Sequence, residues 1–227
     1  MIAPNTAVWI RVGLMALPLY GLLTLWGTFT HQPDPNTEFE AYARYTSSTI
    51  YLVNHLVASI FGTVLAILGA VALGAFLAGS RVGRMSLFAM VSSVAGHALI
   101  LTIFGFSTFA SPAIGRAYLA GREGAAVAVN QDILGIPLFT TALLGGLLYT
   151  VGAILFGVAI WRTGTLPKWA GVLYAPTGFL ISIVGLMIGQ AQTLGTLLLI
   201  VGGGWIVWSA LRQPTPGVEG KAQPRVH

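Results

Sequence analysis

The sequence predicts an all-α integral membrane bundle of six transmembrane helices with both termini cytoplasmic. Three observations carry that expectation. The 227 residues are 56% hydrophobic and only 7% charged, against roughly 25% charged for a soluble domain. Six apolar runs, at about residues 12–29, 50–78, 85–110, 136–161, 169–188 and 194–211, are long enough as helices to cross a ~30 Å hydrocarbon layer. All 11 basic and six acidic residues fall outside those runs, as the cost of charge in lipid requires.

One six-span domain over residues 1–212 is therefore expected, followed by a tail at 213–227. That tail is rich in Pro, Gly and charge and is expected to be disordered. The first run follows a single cation, Arg11, and ends at the bulky Gly27-Thr28-Phe29-Thr30-His31. Lacking a small-residue cleavage site, it is expected to be a retained span rather than a signal peptide.

Alternating the loops across the membrane separates the charge. One side carries Arg11, Arg81, Arg84, Arg162, Lys168, Arg212, Lys221 and Arg225, while the other carries only Arg44, Arg116 and Arg122. An excess of Lys and Arg marks the cytoplasmic side. The expected location is the cytoplasmic membrane of a prokaryote. The opposite side holds Asp34, Glu38, Glu40, Glu123 and Asp132, so its two long loops are mildly acidic. Because the basic residues are scattered rather than clustered with aromatics, nucleic acid is not an expected partner. The lipid bilayer and other membrane subunits are.

The second run holds a row of small residues at every fourth position: Ala58, Gly62, Ala66, Ala70, Gly74 and Ala78. Such a row lets a neighbouring backbone approach closely, which is how helices associate where lipid is as apolar as they are. The run spans ~43 Å, so its outer turns are expected to emerge from the hydrocarbon. Thr46-Ser47-Ser48-Thr49 precedes it and suits a helix cap. Ser111-Pro112 suits a cap followed by proline at the first helical position, so a separate short interfacial helix is expected to begin there. Short connections at 79–84, 162–168 and 189–193 make spans two and three, four and five, and five and six neighbours.

Polar residues inside the runs are the candidate functional groups. Counting from the cytoplasmic turns, His97 lies 13 residues past Arg84, Tyr149 13 before Arg162, Thr24 13 past Arg11 and Ser182 14 past Lys168. At ~1.5 Å per residue each is ~20 Å from its inner helix end, so the four are expected to form a polar layer just beyond the membrane centre. This layer is the candidate ligand site, with a cavity between spans two to five. The alternative is packing alone, with His97 bonded to Ser93 one turn away. If a helix packs tightly on Gly62 and Ala66, the cavity is expected on the far side of span three.

Histidine also ligates haem iron, so His97 or His55 is a candidate ligand for a haem or another pigment. Folding spans two and three about residues 81–82 sets His97 level with Ala66 and His55 level with Thr108, ~16 Å apart along the axis. One haem cannot take both. Ser107 beside His55 raises a third candidate, an intramembrane serine hydrolase in which the imidazole takes the hydroxyl proton. His31, Asp34, Glu38 and Glu40 could gather a divalent ion, although their spacing fits no zinc signature.

Absences exclude more. Without cysteine there is no disulfide, iron-sulfur cluster or covalent c-type haem. No Walker, dinucleotide-binding or His-Glu-x-x-His motif occurs. No acid or lysine lies within a span, which argues against a carboxylate proton relay and a retinal Schiff base. The leading functional expectation is non-enzymatic: binding or passage of a small uncharged or apolar molecule, or an accessory subunit of a membrane complex. A redox protein using His97 ranks second and the hydrolase third.

Overall fold

The computed structural model describes residues 4–30 and 32–213. His31 and the expected tail beyond Gln213 lie outside the described residues. Those that are described are all helix, turn or loop, with no strand.

Helices α1 (Pro4–Gly13) and α2 (Ala16–Thr28) run nearly end to end. A short helix, α3 (Phe39–Thr46), follows. Ser48 then caps the next segment, its Oγ accepting from Tyr51 N at 3.2 Å. That segment runs unbroken as α4 (Thr49–Asn54), a π-helical stretch π1 (His55–Phe61) and α5 (Gly62–Ala78). After a turn come α6 (Gly83–Gly105), π2 (Phe106–Ala110) and α7 (Ser111–Leu119), again as one continuous helix. Two further helices are α8 (Glu123–Ile133) and α9 (Ile136–Thr163). Gly164, with φ +75°, closes α9 in the left-handed conformation that glycine adopts without strain. The chain ends with α10 (Lys168–Tyr174), α11 (Thr177–Ser182), a 3-10 turn (Val184–Leu186) and α12 (Gly189–Leu211).

Two prolines change what the runs predict. At Ser111-Pro112 no new helix starts: Ser111 is buried in helical backbone, φ −56° and ψ −41°, and the helix runs through. A mid-helix proline lacks an N–H and crowds the carbonyl four residues back. Here the wider π2 stretch stands in that turn, opening the ladder where the proline needs room. At Pro176 the outcome is opposite. The run at 169–188 is interrupted between α10 and α11, and Thr177 Oγ1 donates to the Tyr174 carbonyl at 2.7 Å beside the break. Among the described residues, five helices rather than six are continuous, long and apolar enough to cross a membrane.

These pieces close a ring. α2 packs against both α5 and α12, α5 against α6, α6 against α9, α9 against α10 and α11, and these in turn against α12. The outward faces carry Phe88, Val91, Leu144, Val201 and other exposed large apolar residues, the inverse of a soluble bundle. One end of the ring, the turn end, holds the α5–α6 and α9–α10 connections. There Arg81 donates from Nε (2.8 Å) and Nη2 to the Arg162 carbonyl at the close of α9, a favoured place for a cation. Gln213 Nε2 reaches the Thr165 carbonyl at 2.6 Å, and Arg11 Nη1 the Gln213 carbonyl at 2.8 Å. The other end, the cap end, holds α3, α7 and α8.

Small residues set the helix spacing. In the row along π1 and α5, Ala58, Gly62, Ala66, Ala70 and Gly74 are buried, and Ala78 is exposed. The row serves two neighbours, because a step of four residues advances ~40° around a helix. Gly62 meets Tyr20 and Leu23 of α2, whereas Gly74 meets Met90 of α6. Another close approach lies between α6 and α9. A Cβ on Gly96 would stand 2.5 Å from Tyr149 N and 2.7 Å from the Gly145 carbonyl.

Candidate ligand-binding site

In the half of the ring nearer the turn end, Leu73, Leu77, Phe156, Ile160 and Ile206 are essentially fully buried and fill the interior. Beyond them the filling stops. A cavity of about 270 Å³ lies in the other half, with Thr30 and Gln32 among its lining residues toward the cap end.

Every segment of the ring contributes to its wall. From α2 come Tyr20 and Thr24, and from the second segment Asn54, His55 and Ala58. α6 presents Ile100, Ile103 and Phe104, and α9 Ala142 and Tyr149. The broken segment adds Ile181, Ser182 and Gly185, and α12 Gln192. Among the described residues no Asp, Glu, Lys or Arg lines it. Its walls are thus apolar with a few neutral hydrogen-bonding groups, the usual character of a small-molecule site.

Of the four residues at the expected polar layer, Thr24, Tyr149 and Ser182 line this cavity. His97 stands just behind it, its ring centroid 4.2 Å from that of Tyr149 and 5.6 Å edge-on from that of Tyr20. It is 2% exposed, and its Nδ1 lies 2.8 Å from the Ser93 carbonyl. His97 Nε2 and Tyr149 Oη are both buried without a hydrogen-bond partner. The hydroxyls of Tyr20 and Thr177 are near Tyr149 Oη but not in hydrogen-bonding geometry.

His55 lies apart from His97, on the wall nearer the cap end. It begins π1 and stacks on Tyr51 at 3.9 Å, with Nδ1 3.0 Å from the Tyr51 carbonyl. Tyr51 in turn donates from Oη to the Ser107 carbonyl at 2.8 Å. It is thus Tyr51, four residues before His55, that bridges to Ser107, and no His55 to Ser107 side-chain hydrogen bond occurs among the described residues. The cavity is not on the far side of α6 from the α5 row. It borders Ala58, because the row winds away from α6 toward α2 at its cap end.

Other candidates stay separate. Glu40 pairs with Arg44 at 2.6 Å and Asp34 binds Asn36, both exposed. No group of three potential metal-binding side chains occurs among the described residues. Counting from turns singles out Thr24, Tyr149 and Ser182, which line the cavity, and His97, which does not, whereas Tyr20, Asn54 and Thr30 were not singled out as ligand-site groups. The nearest signal was that each is a polar residue in or beside an apolar run.

Comparison with known protein families, curated proteins and solved structures finds no match for this chain.

Proposed function

We propose that this chain is a membrane-embedded binding protein for a small uncharged molecule, which it takes into the axial cavity from the cap end. The observation that carries the reading is a cavity lined by every segment of the ring and, among the described residues, by no Asp, Glu, Lys or Arg. A charged ligand would lose hydration there without a countercharge, whereas a neutral, partly apolar one would gain contact with the walls. The packed interior toward the turn end favours binding over passage.

In the proposed topology the turn end is cytoplasmic, as its share of cations favours. The α10–α11 segment makes a sixth, broken crossing, and non-helical backbone at membrane depth is tolerated where it lines a cavity. An accessory role in a larger membrane complex is compatible with this site, since the ligand would then be supplied or consumed by the partner.

Mass spectrometry of solvent extracts from protein purified in mild detergent tests the proposal. Wild type should carry a neutral small molecule, and Ser182→Leu, which fills the cavity, should retain less than about a tenth as much while keeping its helical circular dichroism. Equal retention by the two proteins, or no bound molecule in wild type, would defeat the reading.

A further inference from the structure

The five described carboxylates, Asp34, Glu38, Glu40, Glu123 and Asp132, all sit on or beside α3 and α8 at the cap end. The turn end carries Arg11, Arg81, Arg84, Arg162, Lys168 and Arg212, with no carboxylate among the described residues. Exposed cations spread over a surface need only water. Two of these are not spread.

Arg81, in the α5–α6 turn, lays its guanidinium across the end of α9, where Nε (2.8 Å) and Nη2 donate to the Arg162 carbonyl. That contact brings the Arg81 head against a residue whose own side chain is a second guanidinium. With the buried Val82, the two line a hollow of about 340 Å³. A guanidinium carries five N–H donors. Arg81 spends two of them on the carbonyl, and Arg162 spends none on any described residue. The close of α9 supplies roughly half a negative charge against these two full positive ones. Charge at this point does not balance among the described residues.

We infer that the Arg81–Arg162 hollow binds the phosphate of an anionic phospholipid. The planar guanidinium fork matches a pair of phosphate oxygens, so a phosphate between the two arginines takes up donors that the protein does not use. Depth makes a lipid the source. Trp161, next to Arg162, meets Trp169 edge-on with ring centroids 6.1 Å apart, and Lys168 Nζ stands 5.5 Å over the Trp161 ring. Arg212 lies 3.9 Å over Trp208. All three tryptophans are exposed, and exposed tryptophans at a helix end rest at the level of the lipid headgroups. A zwitterionic headgroup brings a cationic group that meets no described carboxylate at this end, so a lipid of net negative charge is favoured. The hollow stands at the opposite end of the ring from the cavity and does not depend on the cavity's ligand.

The test is native mass spectrometry of the detergent-solubilised full chain with phosphatidylglycerol, phosphatidylcholine of the same acyl chains, and inorganic phosphate. Wild type should bind the glycerol lipid about tenfold more tightly than the choline lipid. Arg162→Gln keeps the carbonyl that holds Arg81 and should cut that preference about fivefold. Arg162→Lys should restore part of it, and Arg116→Gln, at the cap end, should leave it unchanged. Equal binding of the two lipids by wild type, or equal losses in Arg162→Gln and Arg116→Gln, would overturn the site. Displacement of the glycerol lipid by millimolar inorganic phosphate would assign the hollow to a soluble anion and overturn the lipid. The wild-type comparison needs no variant to fold, and its failure would leave the proposed cavity ligand standing.

Discussion

Gly96 shows how much a single missing side chain decides. Its Cα lies so near α9 that a methyl group would stand 2.5 Å from Tyr149 N, inside any tolerable contact, and backbone is what it would strike. Overpacking of this kind costs about 1–3 kcal/mol. Gly96→Ala should therefore lower the detergent-solubilised protein's melting temperature and spread α6 from α9. Gly204→Ala, where a Cβ meets nothing within 4 Å, should leave it unchanged. Equal melting temperatures for the two variants would show that the α6–α9 contact does not limit stability. Because Tyr149 is the residue struck, Gly96→Ala should disturb the cavity floor as well. The same residues explain why the site was only half legible. Residue counting fixes height along a helix, so Thr24, Tyr149 and Ser182 could be assigned to one level. It does not fix which way a side chain points, and so could not set His97 behind Tyr149 with Nε2 unpaired.

Among the elements, the cap-end helix α3 has its own docking chemistry. Phe39 packs on Tyr118 of α7 at 4.9 Å, and Gly115 lets the Ala43 to Ser47 backbone lie against α7. Tyr42 is buried in this contact, 3% exposed, and burial raises its phenol above the ordinary value of 10.0, with the nearby Ser111 hydroxyl partly opposing. A raised value means the folded state prefers the neutral phenol. Its contribution is complete below pH ~10 and is lost as pH rises through the folded value. Proteolysis near α3 should accelerate above pH ~10 in wild type, and Tyr42→Phe, which cannot ionise, should remove that dependence. A wild-type rate that is flat with pH would argue against a buried Tyr42. Element boundaries tell a parallel story. Long apolar runs and the Ser48 cap were readable because length and a local hydrogen bond determine them. Pro112 and Pro176 were not, since a proline in an apolar run has the same local chemistry whether the ladder widens around it or breaks. The α6–α9 pairing is not set by any short loop, and Gly96 beside His97 and Gly145 near Tyr149 read in the sequence either as close packing or as room for a cofactor; the structure places them against each other.

For the whole molecule, the absence of cysteine makes the proposed topology directly testable. Gly79, Gly124 and Gly189 are exposed, and a Cβ at any of them meets nothing within 4 Å. With a membrane-impermeant maleimide, Gly124→Cys and Gly189→Cys should label in intact cells, and Gly79→Cys only after permeabilisation. Labelling at 124 but not at 189 would mean that the α10–α11 segment does not cross, and the reverse pattern at 79 and 124 would invert the orientation. The ring was not written in any one run. It follows from α12 returning to α2, a contact between the two ends of the chain that short-loop adjacency cannot supply.

That closure, with one half of the interior packed and the other half hollow, gives the proposed binding site the form of a pouch rather than a tunnel. If the ligand enters from the cap end, as we propose, its occupancy would track the concentration in one compartment alone and be indifferent to any gradient across the bilayer. A vessel of that kind would report or hold, as a gauge or a reservoir does, and would drive no net flow while the packed half stays closed.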